Sequence, residues 1–240
     1  MKLADYLKKL SYSELSNLRA GNDGTGSIKQ DKIPYVVDLI NEALLRLYSR
    51  FVLKTNTVLI ECNEVKTRYH LSSKHSWLCA TEEDKKNPTF SDKFIRDDPE
   101  HPFKNDIIKI LSVTTSGGVR LPLNNHTNPL SVYTPVYDML EVPITLADMA
   151  LTIVYQAKHE TLDWFKDPNQ EINIPESLIG ALSAYVAFQF YSNMNTQEAV
   201  ANAQKFLQTY TNIVQETTDM DLNQNSYNQD NIKFRIRGFV

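Results

Sequence analysis

The sequence predicts an α+β protein: a helical bundle that carries an inserted small antiparallel β-sheet or sandwich and ends in an extended C-terminal arm. Three observations lead there. Apolar residues recur at helical spacing near both ends of the 240-residue chain. Between them the runs become short, β-branched and punctuated by proline. After Asp219 the chain loses its core-forming character. These changes divide it into a first helical part (1–54), a β-rich insertion (55–158), a helical hairpin completing the bundle (159–218) and an arm (219–240).

Leu3, Tyr6, Leu7 and Leu10 trace the face of a first short helix. Ser11 with Glu14 has the form of a capping box, which predicts a second turn through Leu15 and Leu18. Three of the seven glycines then fall within Gly21–Ser27 and require a loop. From about Asp31, Val36, Val37, Ile40, Ala43, Leu44, Leu47 and Phe51 outline a long amphipathic helix, with Pro34 in its first turn.

Thr57–Cys62, Glu64–Leu71, Asp106–Val113, Val136–Val142 and Ala150–Tyr155 are β-prone. Gly117-Gly118 marks a turn, and prolines concentrate between Pro88 and Pro143. The polar stretch from Thr81 to Pro102 is expected to be an exposed loop. Pro175 opens a helix with Leu178, Leu182, Tyr185, Val186 and Phe190 on one face. Asn195 with Glu198 predicts the cap of another, whose stripe is Ala199, Ala203, Phe206, Leu207, Tyr210, Ile213 and Val214. The short break at Ser192–Asn195 makes these two an antiparallel hairpin.

Hydrophobic residues at 42% and charged residues at 22% argue against global disorder. A formal net charge of −4 leaves no sequence-wide affinity for nucleic acid phosphates. No apolar run approaches the ~20 residues of a membrane span, and Met1–Lys9 lacks the apolar core of a secretory signal. Cys62 and Cys79, the only cysteines, fit a reducing compartment and no disulfide framework.

Candidate chemistry is sparse. The Gly21–Ser27 loop lacks the lysine and the preceding strand of a phosphate cradle, so it reads as an inter-helix loop. His159-Glu160-Thr161-Leu162-Asp163 replaces the second histidine of a zinc helix with Asp163 and reads as a polar surface segment. His70 and His75 could face one another across a turn; His101 and His126 share no spacing with them. There is no nucleophile elbow. The acidic groups Glu82-Glu83-Asp84 and Asp97-Asp98-Glu100 fall in polar stretches and are expected to be solvated, without the apolar setting that general acid–base work needs. No catalytic residue, metal or cofactor is assigned.

The arm is the distinctive feature. Asp221–Asn231 is rich in Asn, Gln and Asp, and Ile232-Lys233-Phe234-Arg235-Ile236-Arg237-Gly238-Phe239-Val240 then alternates apolar and basic residues. In an extended chain Ile232, Phe234 and Ile236 share one side and Lys233, Arg235 and Arg237 the other. Such a segment suits strand addition to a partner's sheet edge. From Asp219 the arm reaches about 70 Å if fully extended. Ile232, Lys233, Phe234, Arg235, Ile236, Arg237 and Phe239 are therefore the candidate partner-binding residues.

The chain resembles the head-to-tail connector (adaptor, or head-completion) proteins of tailed bacteriophages. The likeness lies in Ser13-Glu14-Leu15-Ser16-Asn17-Leu18 before the glycine loop and in the Ile40–Phe51 run INEALLRLYSRF. It continues from Leu151–Tyr155 to Ile174–Leu182 and Tyr185-Val186-Ala187. It covers most of the chain through packing patterns, with no active-site signature, and Thr81–Pro102 has no counterpart. The resemblance implies a virion structural protein without enzymatic activity or cofactor. Its subunits would form a homo-oligomeric, dodecameric ring beneath the portal protein. That ring would extend the DNA channel, touch genomic DNA transiently, present a surface for tail or nozzle proteins, and dock its arm on the portal. It would be assembled in the bacterial cytoplasm, with no membrane association. The alternatives are a tail-completion or other virion ring protein, a metal-dependent hydrolase centred on His159, Glu160 and Asp163, or a weak nucleic-acid binder using Lys233, Arg235 and Arg237.

Overall fold

The structure, a computed structural model, describes residues 1–15, 28–81, 84, 92–146, 148–194 and 196–220. The glycine loop, Glu82 and Glu83, Asn195 and the candidate arm residues 232–239 lie outside them. The fold is mixed α+β, with four α-helices and a small antiparallel sheet among the described residues. The chain divides into two compact units. One takes the described residues of Met1–Leu47 and Thr161–Val240, the other Tyr48–Glu160.

In the helical unit, α1 spans Leu3–Tyr12 and α2 spans Ile33–Arg50, running past the unit's boundary at Leu47. The helical spacing of Leu3, Tyr6, Leu7 and Leu10 puts all four in the core. The first N–H groups of a helix have no partner within it. Here Leu3 N donates to the Gln170 carbonyl (2.9 Å) and Ala4 N to that of Pro168 (3.1 Å), so the 168–172 segment closes the start of α1. Ser11 does not open a second helix. It is buried in the last turn of α1, its hydroxyl donating to the Lys8 carbonyl (2.7 Å), and the chain turns at 13–15.

Along α2, Val36, Val37, Ile40, Ala43, Leu44 and Leu47 are buried, while Glu42 and Arg46 are exposed. Helix α3, Glu176–Ser192, is buried around most of its circumference, as a central helix must be. Helix α4, Gln197–Asp219, runs antiparallel to it. Tyr185 meets Tyr210 at 4.9 Å between ring centroids, and Tyr191 stacks on Phe206 at 5.5 Å. The cap of α4 is Thr196, one residue beyond the expected Asn195: its hydroxyl accepts from Ala199 N at 3.2 Å. Leu207 is exposed although the stripe included it. At about 100° per residue it lies roughly 50° from the centre of the arc that buries Ala199, Ala203, Tyr210 and Val214.

The second unit is built on a five-stranded antiparallel sheet of order β3-β1-β7-β4-β5, with β1 Thr55–Glu61, β3 Ile95–Arg96, β4 Ile107–Thr115, β5 Arg120–Leu121 and β7 Ala150–Ala157. A separate pair joins β2 Arg68–His70 to β6 Met139–Glu141. Alternation buries Val58 and Ile60 of β1 and Leu151, Ile153 and Tyr155 of β7. In β4 the buried residues Ile107, Ile110 and Val113 come every third position. Two register shifts against β7, at Ile107/Lys109 and Ile110/Ser112, re-aim the strand. Gly118, at φ +77°, closes the β4–β5 turn, where a side chain would be strained.

Three expectations need correcting. Of Glu64–Leu71 only Arg68–His70 is strand, because the preceding turn is tied to the Tyr69 hydroxyl. That hydroxyl accepts from Asn63 N (2.8 Å) and donates to the Lys66 carbonyl (2.9 Å). Of Val136–Val142 only Met139–Glu141 is strand. Thr81–Pro102 is not an exposed loop throughout. Phe94 and Ile95 are buried, and β3 pairs Ile95 with Ile60 and Arg96 with Leu59.

Candidate functional site

The sheet unit carries a groove of about 600 Å3 beside β1. Its walls come from Lys54, from Asn56–Leu59 of β1, from residues 96–98 and 100–104, and from Asp106, Tyr155 and Glu160. Local chemistry holds the 96–104 segment in place. The Asp97 carboxylate accepts from the Ser76 hydroxyl (2.6 Å) and from Phe103 N (3.0 Å). Asp98 accepts from His101 N (2.7 Å) and Glu100 N (2.9 Å), and these backbone donors, His101 first, hold its carboxyl below the usual range. Asn105 occupies the left-handed region (φ 57°), which asparagine tolerates, and its side-chain oxygen accepts from Ser73 N at 2.6 Å. Asp97 is thus half-buried and structural, whereas Asp98 and Glu100 are exposed.

A polar cluster lies at the other end. Asp106 accepts from Asn56 Nδ2 and from the Tyr155 hydroxyl, both at 2.8 Å. Burial, then the hydrogen bond and charge of Asp106, push the Tyr155 phenol well above its ordinary value. Glu160 takes Lys104 Nζ at 3.2 Å and Lys54 Nζ at 3.6 Å, and Lys104 chiefly pulls its carboxyl below the usual range. At the upper end Arg96 pairs with Glu61, and its guanidinium lies 4.1 Å from the Trp77 ring centroid.

Beside this groove β1 is open. Glu61 N reaches outward to the Phe94 carbonyl, whereas the Lys54 carbonyl and Cys62 N bond on the β7 side. By alternation, the N–H and C=O groups of Thr55, Thr57 and Leu59 also face away from β7. Arg96 covers Leu59, but no described residue pairs with the outward backbone of Thr55 or Thr57. Strand β3 ends at Arg96, and the turn capped by Asp98 carries the chain away.

The remaining candidates separate. His159 Nδ1 contacts the Glu160 carbonyl at 2.5 Å, and its ring packs edge-on against Tyr48. Asp163 accepts from Phe165 N (2.9 Å) in a turn. His70 approaches Asp138, His75 stacks on Phe94, and His126 lies against Tyr133. Among the described residues no three His, Cys, Asp or Glu side chains are grouped to hold a metal ion, and no helix is long and apolar enough to cross a membrane. Cys62 is buried, which pushes its thiol up to about 12, and Cys79 is exposed; neither is paired.

Sequence reasoning missed the groove. Asn56, Asp106 and Tyr155 follow one another at intervals of 50 and 49 residues along the chain, and only the strand register brings them together. The one cue lay in β1, whose polar Thr55, Thr57 and Glu61 alternate with Val58 and Ile60 as in a half-exposed strand. No protein-family model matches the chain, and no curated protein matches it either.

Proposed function

We propose that the chain is a virion structural protein: the ring-forming head-to-tail connector subunit of a tailed bacteriophage. In this reading its helices form a bundle, the ring sits beneath the portal and extends the DNA channel, and the arm after Asp219 reaches a neighbouring protein. DNA passes the lumen with transient contact only, and the far face receives tail proteins.

The observation that carries the reading is the open edge of β1. Folded proteins guard exposed strand edges with proline, bulges or coverage. Thr55–Val58 has no proline and pairs with β7 without a register shift, and Asn56–Val58 line a groove. An edge that no described residue pairs with at Thr55 and Thr57 fits a subunit completed by another chain. The resemblance of INEALLRLYSRF supports the same reading, since that run forms the last turns of α2 and its exit.

Negative-stain microscopy and mass measurement of the full chain, alone and mixed with the portal protein, test the proposal. Rings that cap the portal are the expected result. Rings that ignore the portal indicate another virion ring protein, and a monomer inert toward it overturns the reading.

A further inference from the structure

We infer that the groove beside β1 is the receptor for the alternating segment Ile232–Phe239 of a second copy of this chain, which adds there as a strand. The inference rests on the ring reading in taking a second copy as the donor, and it departs from the portal-docked arm that the family resemblance implies.

The open edge sets the kind of ligand. Thr55 and Thr57 offer two N–H and two C=O groups, spaced as a strand needs, over about 10 Å. Main-chain bonds of that pattern are satisfied by an extended peptide. The lining sets its composition. Carboxylates outnumber lysine and arginine five to three among the groove residues, and Asp98 and Glu100 at the rim are exposed. Leu59 and Pro102 add exposed apolar surface beside them.

A fitting guest is therefore extended, basic and apolar by turns. Ile232–Arg237 has three basic residues, three apolar ones and no acid, in strict alternation. Eleven residues separate Met220, the last described position, from Ile232, enough to span up to about 40 Å. That reach allows a donor on another molecule. Passing each arm to the next subunit is a head-to-tail contact, which closes into a ring when the rotation permits. The bonds in one groove are few, and closure would strengthen them by raising the effective concentration of every arm.

The test uses full-length protein carrying Cys79→Ser. One preparation also carries Thr57→Cys. Each of a second series carries one new cysteine at a position from 232 to 237. Pairs are mixed and treated with a short bismaleimide, and the cross-linked heterodimer is measured. A yield that alternates with period two along the arm is expected, as a docked strand presents every second side chain to the same side. Arg235→Glu should lower the yield about three- to tenfold, and Glu100→Lys in the receptor should restore part of it. Thr57→Pro, placed in a receptor whose cysteine is at Leu59 instead, removes an outward N–H without touching the β7 ladder and should abolish the pattern; circular dichroism checks that this variant folds.

A flat yield along the arm overturns the inference, as does the absence of any cross-linked heterodimer. Portal-capping rings without the alternating pattern would sink the groove and spare the connector reading. The pattern without any portal binding would do the reverse.

Discussion

The side-chain amide of Gln156, buried in β7, donates to the backbone carbonyl of Phe51 at 3.0 Å, just beyond the last residue of α2. The same nitrogen also reaches the Tyr48 carbonyl. The final carbonyls of a helix lack intrahelical donors, so Gln156 serves as their cap from a strand. Gln156→Leu should cost about 1–3 kcal/mol, measured by urea unfolding. Gln156→Glu should cost more at neutral pH, since a carboxylate cannot donate to a carbonyl. Burial would raise that carboxyl's folded pKa above its unfolded one, so the folded state would bind the extra proton. The variant should therefore gain stability as pH falls through the folded pKa.

The wild-type chain should lose stability in alkali. Burial is the leading cause that raises Tyr6, Tyr69 and Tyr155 above 10.0, Tyr69 up to about 12, and Cys62 from 9.0 up to about 12. These groups stay protonated in the native state while the unfolded chain releases its protons. Their stabilising effect is intact below about pH 9 and is lost as pH rises toward and through 12. Tyrosinate absorbance from these side chains should appear together with loss of circular dichroism; earlier titration would contradict their burial.

Thr196→Ala should destabilise the protein by about 0.5–2 kcal/mol, because it leaves Ala199 N without its capping hydroxyl. Asn195→Ala should change far less. Equal losses at both positions would place the cap wrongly.

Gly180 sits where α3 meets α4: a Cβ there would lie 3.3 Å from Ile213 Cδ1, the far end of a flexible side chain. Gly180→Ala should gain about 0.5–1 kcal/mol of helix propensity and give part of it back in displacing Ile213. A thermal shift of either sign should therefore be small. Gly180→Leu overfills the interface and should cost about 1–3 kcal/mol.

The helices were legible in the sequence because their burial follows their period. Val36, Ile40, Ala43, Leu44 and Leu47 announce the core face of α2 without help from the rest of the fold. The same holds for β1 and β7, whose apolar residues alternate. Strand β3 was hidden, because two residues in a charged stretch become strand only by pairing with β1. The bulges of β4 were hidden too: its every-third burial has neither a helical nor a strand period until β7 is set beside it. Gln156, which follows the β-prone Ala150–Tyr155 run, carries no local sign of the helix end it caps. The groove depends on cross-strand register and on where β3 stops, neither of which a single sequence encodes locally.

The order of the chain through its two units has a consequence for synthesis. Tyr48–Glu160 is contiguous, so all its strands have been made once Glu160 leaves the ribosome. The helical unit is not: α1 and α2 are translated first, but their unit waits for α3 and α4. From Glu160 to the addition of Val214 the ribosome adds 54 residues, or about 3–11 s of elongation at typical rates. Throughout that interval the apolar faces of the first two helices lack their final cover. A ribosome stalled in this window would display Leu3, Tyr6, Val36 and Ile40 to chaperones, so the helices of this unit that are made earlier are the last to be protected.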